Sequence, residues 1–204
     1  MTPPVRSSAL RYVRRQASRF LPRAVRRPAV VLAAVLASGA MSLPLATPAS
    51  AAGDDYPYRS YTSNVADRWG FTVRQCVSFV AWREAQAGRP MSNATQHWGS
   101  ALSWDEAATR LGVRISTRPV VGAIAQWNAY ERSAWYANGS ATPNGTVQAG
   151  GYGHVAYVKY VYGDGSALVE QYNMFGNRAY STMRLKAPRY LYDGVAGYPA
   201  ARRY

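Results

Sequence analysis

A helix-forming segment in the first half of the chain reads Phe71-Thr-Val-Arg-Gln-Cys76-Val-Ser-Phe-Val-Ala-Trp-Arg-Glu-Ala-Gln-Ala-Gly88. The sequence Gly88-Arg-Pro90 is a stop signal, so the helix is expected to end there. The apolar residues inside the segment recur with a helical period; they are Val77, Val80, Ala81 and Ala85. The pattern therefore predicts a helix with Cys76 in its first turn, where the helix dipole and free backbone N–H groups favour a thiolate.

The rest of the chain predicts helices first and strands afterwards. A second helical region is expected over residues 94–111, with Asn93 as its cap and a break near Gly99-Ser100. The stretch between Trp127 and Gly153 shows no regular period and is predicted to be a long loop, whose aromatic residues either pack on the domain or stack on sugars. Strands are predicted over 113–115, 120–127, 154–161 and 167–172, with Gly163-Asp-Gly165 as the last hairpin turn. This order indicates an α+β fold.

The composition indicates one folded domain and argues against a nucleic-acid partner. The chain has 204 residues, of which 48% are hydrophobic and 17% are charged. The net charge of +14 is uneven, because residues 1–51 hold eight Arg and no acidic residue. The remaining residues carry about +6, which suits an anionic surface but is not diagnostic of nucleic acid.

The first 51 residues have the features of an export signal. An Arg-rich stretch precedes an apolar run that begins at Ala29, and small residues end in Ala49-Ser-Ala51, where cleavage is predicted. The apolar run is shorter than the roughly 20 residues of a membrane span, so no stable span is expected after cleavage. An uncleaved anchor, and twin-arginine export through Arg26-Arg27, remain as alternatives. Residues 52–60 are interpreted as a linker, and residues 61–204 as the catalytic domain.

The chain offers one thiol and two imidazoles. Cys76 is the single cysteine, so no intramolecular disulfide can form and a reactive nucleophile becomes one interpretation of an exported thiol. His154 opens an apolar strand, where its side chain can meet a helix terminus, whereas His97 is expected to be a surface or packing residue. With so few ligands, no metal site and no cofactor are expected.

Several ordered motifs resemble the CHAP family of cysteine, histidine-dependent amidohydrolases and peptidases. The motifs are Gln75-Cys76, Asn93-Ala94, Pro119-Val-Val-Gly-Ala-Ile-Ala-Gln-Trp127, Tyr152-Gly-His154-Val-Ala-Tyr-Val and Val169-Glu170-Gln-Tyr-Asn173. The resemblance implies a papain-like fold, with N-terminal helices packed on an antiparallel sheet. It also implies a secreted, wall-associated enzyme that cleaves amide or peptide bonds of peptidoglycan through a thioester. We expect this enzyme to act as a monomer.

Carried over to this sequence, the resemblance makes Cys76 the nucleophile and His154 the base. Gln75 either contributes to the oxyanion site or has a structural role at the helix start. The third member is expected to be Glu170 or Asn173, either of which can accept the imidazole Nδ1–H.

Strand parity bears on this choice, since Glu170 and Asn173 point to opposite faces of a regular strand. A two-residue turn at Asp164-Gly165 would place Gln171 and Asn173 on the face of His154, a three-residue turn would place Glu170 there, and a bulge could bring both in. We choose Glu170, because a carboxylate stabilises an imidazolium better than an amide does.

Two other functions compete with the hydrolase. One is a wall-binding module with little catalysis, which would use the aromatic segment and the modest positive charge. The other is a different papain-like thiol enzyme, such as an NlpC-type endopeptidase or a transglutaminase. The nucleophile context Gln-Cys-Val-Ser-Phe and the absence of a His after His154 argue against the NlpC pattern.

Overall fold

The computed structural model describes residues 53–195, in which four helical elements precede eight strands. The helical elements are α1 (Cys76–Gln86), α2 (Asn93–Gln96), a 3-10 helix (Ala101–Ser103) and α3 (Trp104–Leu111). The strands are β1 (Arg114–Ser116), β2 (Ile124–Trp127), β3 (Arg132–Tyr136), β4 (Gly145–Gln148), β5 (His154–Val161), β6 (Ala167–Tyr172), β7 (Tyr180–Lys186) and β8 (Arg189–Tyr192). The predicted α+β class is confirmed.

The predicted second helical region is broken into three pieces. Helix α2 ends at His97, whose backbone is left-handed (φ 52°), and Gly99 is left-handed as well (φ 71°). A left-handed residue ends a helix, so the chain restarts as the 3-10 helix and then as α3. Gly112, left-handed at φ 74°, ends α3.

The eight strands form one antiparallel sheet in the order β1-β8-β2-β5-β6-β7-β3-β4. Helix α1 packs on β5 and β6 near the middle of this order. The core between the helices and the sheet contains Phe79, Trp98, Trp104, Leu111 and Val155. On the other face, residues of β4 and β8, near opposite ends of the strand order, share one apolar cluster, so the sheet is curled.

The segment between Trp127 and Gly153 contains a hairpin, so the prediction of an irregular loop is wrong. Strands β3 and β4 pair with each other, and β3 also pairs with β7. The inward position Ser133 is polar, and its hydroxyl accepts a 2.6 Å hydrogen bond from Trp127 Nε1. An inward serine hides the alternation of apolar and polar residues by which a half-buried strand is recognised.

The segment interpreted as a linker is part of the fold over residues 53–60. Tyr56 is fully buried, and its ring contacts Phe79, Trp82 and Tyr172 at centroid distances of 5.7, 5.6 and 4.9 Å. Its hydroxyl bonds to Ser78 of α1. The polar residues around Tyr56 suggested a linker, but they bond to the domain: Asp54 accepts from Tyr172, and Asp55 pairs with Arg83.

The predicted signal peptide, residues 1–51, lies outside the described residues. Within residues 53–195, no helix is both long enough and apolar enough to cross a membrane. Every element described above belongs to the part of the chain that follows the predicted cleavage site.

Replacing Tyr56 by Ala should destabilise the domain strongly. Removal of a buried aromatic ring typically costs about 3–5 kcal/mol, because the cavity is filled only in part. Tyr61→Ala is the matched control, since 44% of Tyr61 is exposed, and its loss should cost less than about 1 kcal/mol. Urea unfolding of both variants checks this. Equal destabilisation would contradict the assignment of residues 53–60 to the core.

Candidate active site

An open cleft of about 850 Å³ lies where α1, the α2 region and the start of β5 come together. The turn before β5 and the loop after β6 complete its walls. Its lining includes Gln75, Cys76, Asn93, His154 and Asn173. Four of the five motifs that carried the resemblance thus contribute to one cavity, although 97 positions separate Cys76 from Asn173; the motif over 119–127 does not line it.

Helix α1 begins at Cys76, and the preceding backbone fixes this start. Arg74 is left-handed (φ 59°) and Gln75 is extended, so the chain turns sharply into the helix. The backbone N–H groups of Val155, Val77 and Cys76 itself favour the thiolate form of Cys76. These donors lower the pKa of the thiol, but burial outweighs them and raises it to about 11. At neutral pH this raised pKa favours the neutral thiol of Cys76 over the thiolate.

His154 is positioned by a turn that only glycine can form. Gly153 has φ 73°, and a Cβ there would lie 2.5 Å from the Trp127 carbonyl oxygen and 2.6 Å from the Leu102 nitrogen. The neighbouring Tyr152 carbonyl accepts a 2.9 Å hydrogen bond from that Leu102 N–H. The turn is thereby fastened to the 3-10 helix, and His154 follows as the first residue of β5.

The His154 ring is held by Gln171. His154 Nε2 lies 3.0 Å from Gln171 Oε1, and Gln171 Nε2 donates to the Ser181 hydroxyl at 3.3 Å. With Oε1 as the acceptor, Nε2 carries the imidazole proton and the Nδ1 lone pair remains available. Burial lowers the pKa of His154 to about 4, although the Gln171 contact opposes the shift. The imidazole is therefore neutral, like the thiol.

The structure does not bring Glu170 to His154, so the expected contact is corrected in two respects. The residue that contacts the ring is Gln171, and the nitrogen contacted is Nε2 rather than Nδ1. The turn has three residues, because the Tyr162 N–H donates to the Ser166 carbonyl around Gly163-Asp-Gly165. Such a turn would place Glu170 on the face of His154 in a regular ladder.

A bulge in β5 places Glu170 on the face of the sheet away from His154 instead. Tyr160 pairs with Leu168, but Val158 pairs with Val169, so the Lys159 backbone has no ladder partner in β6. One extra residue moves every later side chain of the ladder to the other face. Glu170 consequently pairs with Tyr157 in the ladder and turns away from His154.

Glu170 instead fastens α1 to the sheet. Its buried carboxylate lies 2.7 Å from Arg83 Nε and 3.4 Å from Lys159 Nζ. Arg83 is on α1, and its guanidinium lies over the Trp82 ring at 4.2 Å. A buried carboxylate requires such partners, since an unpaired charge in the core is strongly unfavourable.

The structure places Asn173 beside Gln75 rather than beside His154. Asn173 Nδ2 donates to Gln75 Oε1 at 2.6 Å. Asn173 Oδ1 accepts from the Arg178 backbone N–H at 2.7 Å. Gln75 does not cap α1 with its side chain, so its amide belongs to the cleft wall.

His97 lies at the end of α2 with an exposed side chain, which agrees with the expectation of a surface residue. Within residues 53–195, His, Cys, Asp and Glu side chains do not gather in groups of three or more that could hold a metal ion.

Little in the sequence indicates that Gln171 contacts His154. Strand parity places Gln171 on the face of His154 only for a two-residue turn, whereas the structure reaches that face through a three-residue turn plus a bulge. No residue pattern around Lys159 marks the bulge, because the residue is an ordinary member of an alternating strand.

Comparison with known proteins identifies the family. The CHAP domain family matches residues 66–173, which is about half of the chain and contains the whole Cys76–His154–Asn173 arrangement. The chain belongs to the CHAP domain family, which confirms the resemblance found in the sequence.

Individual relatives come from staphylococci. "Probable autolysin SsaALP" of Staphylococcus aureus is 37% identical over 103 residues, which cover 50% of this chain and 30% of the relative. An N-acetylmuramoyl-L-alanine amidase of Staphylococcus haemolyticus is 34% identical over 145 residues, which cover 66% of this chain and 36% of the relative. The chain thus spans about a third of the length of these relatives.

One solved structure is also similar. It is the crystal structure of an N-acetylmuramoyl-L-alanine amidase from Staphylococcus aureus, with 25% sequence identity and a TM-score of 0.47. The match covers 67% of this chain and 36% of that chain.

Protonation of His154 should weaken the folded protein in mild acid. The pKa of His154 is about 4 when folded and 6.5 without the fold, so only the unfolded chain takes up this proton between those pH values. Stability from this group is complete above pH 6.5 and is lost as the pH falls to about 4, by about 3 kcal/mol in all.

Urea unfolding at several pH values tests this difference. His154→Gln should show a shallower fall in unfolding free energy over that window than the native protein. His97→Asn is the control, because it removes an exposed histidine and suits the left-handed backbone there. If the unfolding free energy of His154→Gln falls with pH as steeply as that of the native protein, the assignment of this fall to His154 is contradicted.

Proposed function

We propose that this protein is an exported peptidoglycan hydrolase that cleaves an amide bond by thiol catalysis. The observation that carries the proposal is that Cys76, at a helix N-terminus, and His154, at a strand start, line one open cleft. The Arg-rich leader before Ala51 supports export. Relatives named N-acetylmuramoyl-L-alanine amidases point to the amide between the sugar and the peptide as the substrate bond.

In the first half of the reaction, Cys76 attacks the carbonyl carbon of the amide. The thiol proton passes to His154 Nδ1 as the sulfur forms its bond, because both groups are neutral beforehand. The carbonyl oxygen becomes an oxyanion, and the Cys76 backbone N–H and the Gln75 side-chain amide are placed to donate to it. His154 then gives its proton to the leaving amine, and a thioester remains.

Water completes the cycle. His154 Nδ1 accepts a proton from water as the water oxygen attacks the thioester, and the same oxyanion donors serve again. Collapse of this second intermediate releases the acid and returns the proton to Cys76. Gln171 holds the ring throughout, and it keeps the Nε2–H bond while Nδ1 exchanges protons.

Replacing Cys76 should abolish cleavage. Cys76→Ala and Cys76→Ser should each lower fragment release from purified peptidoglycan by about 10³-fold or more, because the attacking thiolate is lost. Mass spectrometry of the soluble products identifies new amine and carboxyl ends. Substantial release by Cys76→Ala would overturn the mechanism. If the native protein binds the wall and releases nothing, the cleft serves binding only.

The partner of His154 can be tested by exchanging an amide for an acid. Gln171→Glu places a carboxylate beside Nε2, which favours the imidazolium and raises the pKa of His154. The acidic limb of the kcat/KM profile should therefore move to higher pH. The measurement is fragment release as a function of pH.

Glu170→Gln is the matched control. It breaks the buried pair with Arg83 and should lower the unfolding free energy by about 3 kcal/mol. It should leave the acidic limb where it is, because Glu170 does not contact the ring. If the acidic limb of the profile moved in Glu170→Gln but not in Gln171→Glu, Glu170 would be the partner of His154.

A further inference from the structure

We propose that Asn173 is a positioning residue that fixes which end of the Gln75 amide faces the cleft. This inference rests on the proposed function, and it assigns Asn173 to the oxyanion side of the site rather than to His154. The two side chains meet through Asn173 Nδ2 and Gln75 Oε1, 2.6 Å apart.

The polarity of this contact is set by a backbone group. The Arg178 N–H can only donate, and it lies 2.7 Å from the Asn173 side chain, so the atom that faces it must be the acceptor Oδ1. Asn173 Nδ2 then has to face Gln75, where it needs an acceptor. That acceptor is Gln75 Oε1, so Gln75 Nε2 is left as the end that can donate into the cleft.

The backbone donor is itself held in place. Arg74, the residue before Gln75, donates through Nε and Nη2 to the Arg178 carbonyl at 3.1 and 2.7 Å. The Asn173 backbone N–H also bonds to the Ala179 carbonyl at 2.9 Å. The side chains of Arg74, Asn173 and Gln75 and the backbone of Arg178 thus close a ring of contacts beside Cys76.

The conformation of the chain explains why an asparagine occupies this position. Asn173 is left-handed at φ 59°, a conformation that Asn and Asp accept more easily than other residues with a Cβ. Its amide also supplies both an acceptor for Arg178 and a donor for Gln75, which a carboxylate cannot do.

A free donor on Gln75 matters because of the charge that develops in the reaction. An oxyanion is stabilised by N–H groups that already point at it, and loss of one such donor typically costs about 10²–10³-fold in kcat. If the Gln75 amide were reversed, its oxygen would face the oxyanion and repel it. Asn173 therefore acts on the rate through Gln75 and needs no contact with the substrate.

The test uses Asn173→Asp, which keeps the left-handed backbone and the acceptor for Arg178 but removes the donor. Gln75 must then turn its Nε2 toward the new carboxylate and present Oε1 to the cleft. We expect kcat to fall by about 10²-fold or more with little change in KM, as for Gln75→Ala. Asn173→Gly removes the preference for one orientation of the Gln75 amide without reversing it. Its kcat should therefore fall less than that of Asn173→Asp.

A double-variant cycle separates this role from a structural one. In the Gln75→Ala background, Asn173→Asp should cause almost no further loss, because the residue through which it acts is gone. If kcat of the double variant falls by the product of the two single-variant losses, the proposal is overturned. A native kcat in Asn173→Asp would also overturn it. An unchanged melting temperature in each variant excludes unfolding as the cause.

A second readout does not depend on catalysis. In the native protein, NMR should show a protected Asn173 side-chain N–H and a Gln75 side-chain amide that exchanges freely with solvent. In Asn173→Asp, the Gln75 amide should become protected. A protected Gln75 amide in the native protein would overturn the inference. Failure of the proposed function would instead appear as the absence of fragment release by the native protein.

Discussion

The alignment of β5 with β6 depends on Lys159, the residue of β5 that is skipped in the ladder register. Because of this offset, Gln171 faces His154 and Glu170 faces α1. The same offset therefore gives His154 a neutral partner and ties the helix that begins at Cys76 to the sheet. Without it, a three-residue turn would bury the carboxylate beside the imidazole and leave Arg83 without its 2.7 Å contact.

Left-handed backbone conformations bring the remaining groups together. Arg74 turns the chain into α1, Gly153 turns it into β5, and Asn173 turns it out of β6. Each lies within two residues of a side chain that lines the cleft, or lines it itself. The cleft is thus assembled at the ends of regular elements, where backbone N–H groups are not consumed by the helix or the ladder. Such free groups are the donors that reach the Cys76 sulfur.

Sequence patterns predicted the parts of this site that depend on local structure. The helical period placed Cys76 at a helix start, and the apolar run after His154 placed that residue at a strand start, as the structure has them. The partner of His154 could not be predicted in the same way, because it depends on a bulge between two strands. The role of residues 53–60 was missed for a related reason: Tyr56 is buried by residues distant in the sequence, and its polar neighbours hide this.

The His154 ring is held by the amide of Gln171 rather than by a carboxylate, and this affects the charge of the ring. A carboxylate at Gln171 would favour the imidazolium, and each unit of pKa that it added would be worth about 1.4 kcal/mol. An amide orients the ring with much less bias toward charge, so burial dominates the pKa values and favours the neutral forms of both Cys76 and His154. In the proposed reaction, charge has to be stabilised as it forms, by the N–H groups near Cys76. Such stabilisation depends on how the donor N–H groups are oriented. The ring of contacts from Arg74 to Gln75 holds the Gln75 amide in the proposed orientation.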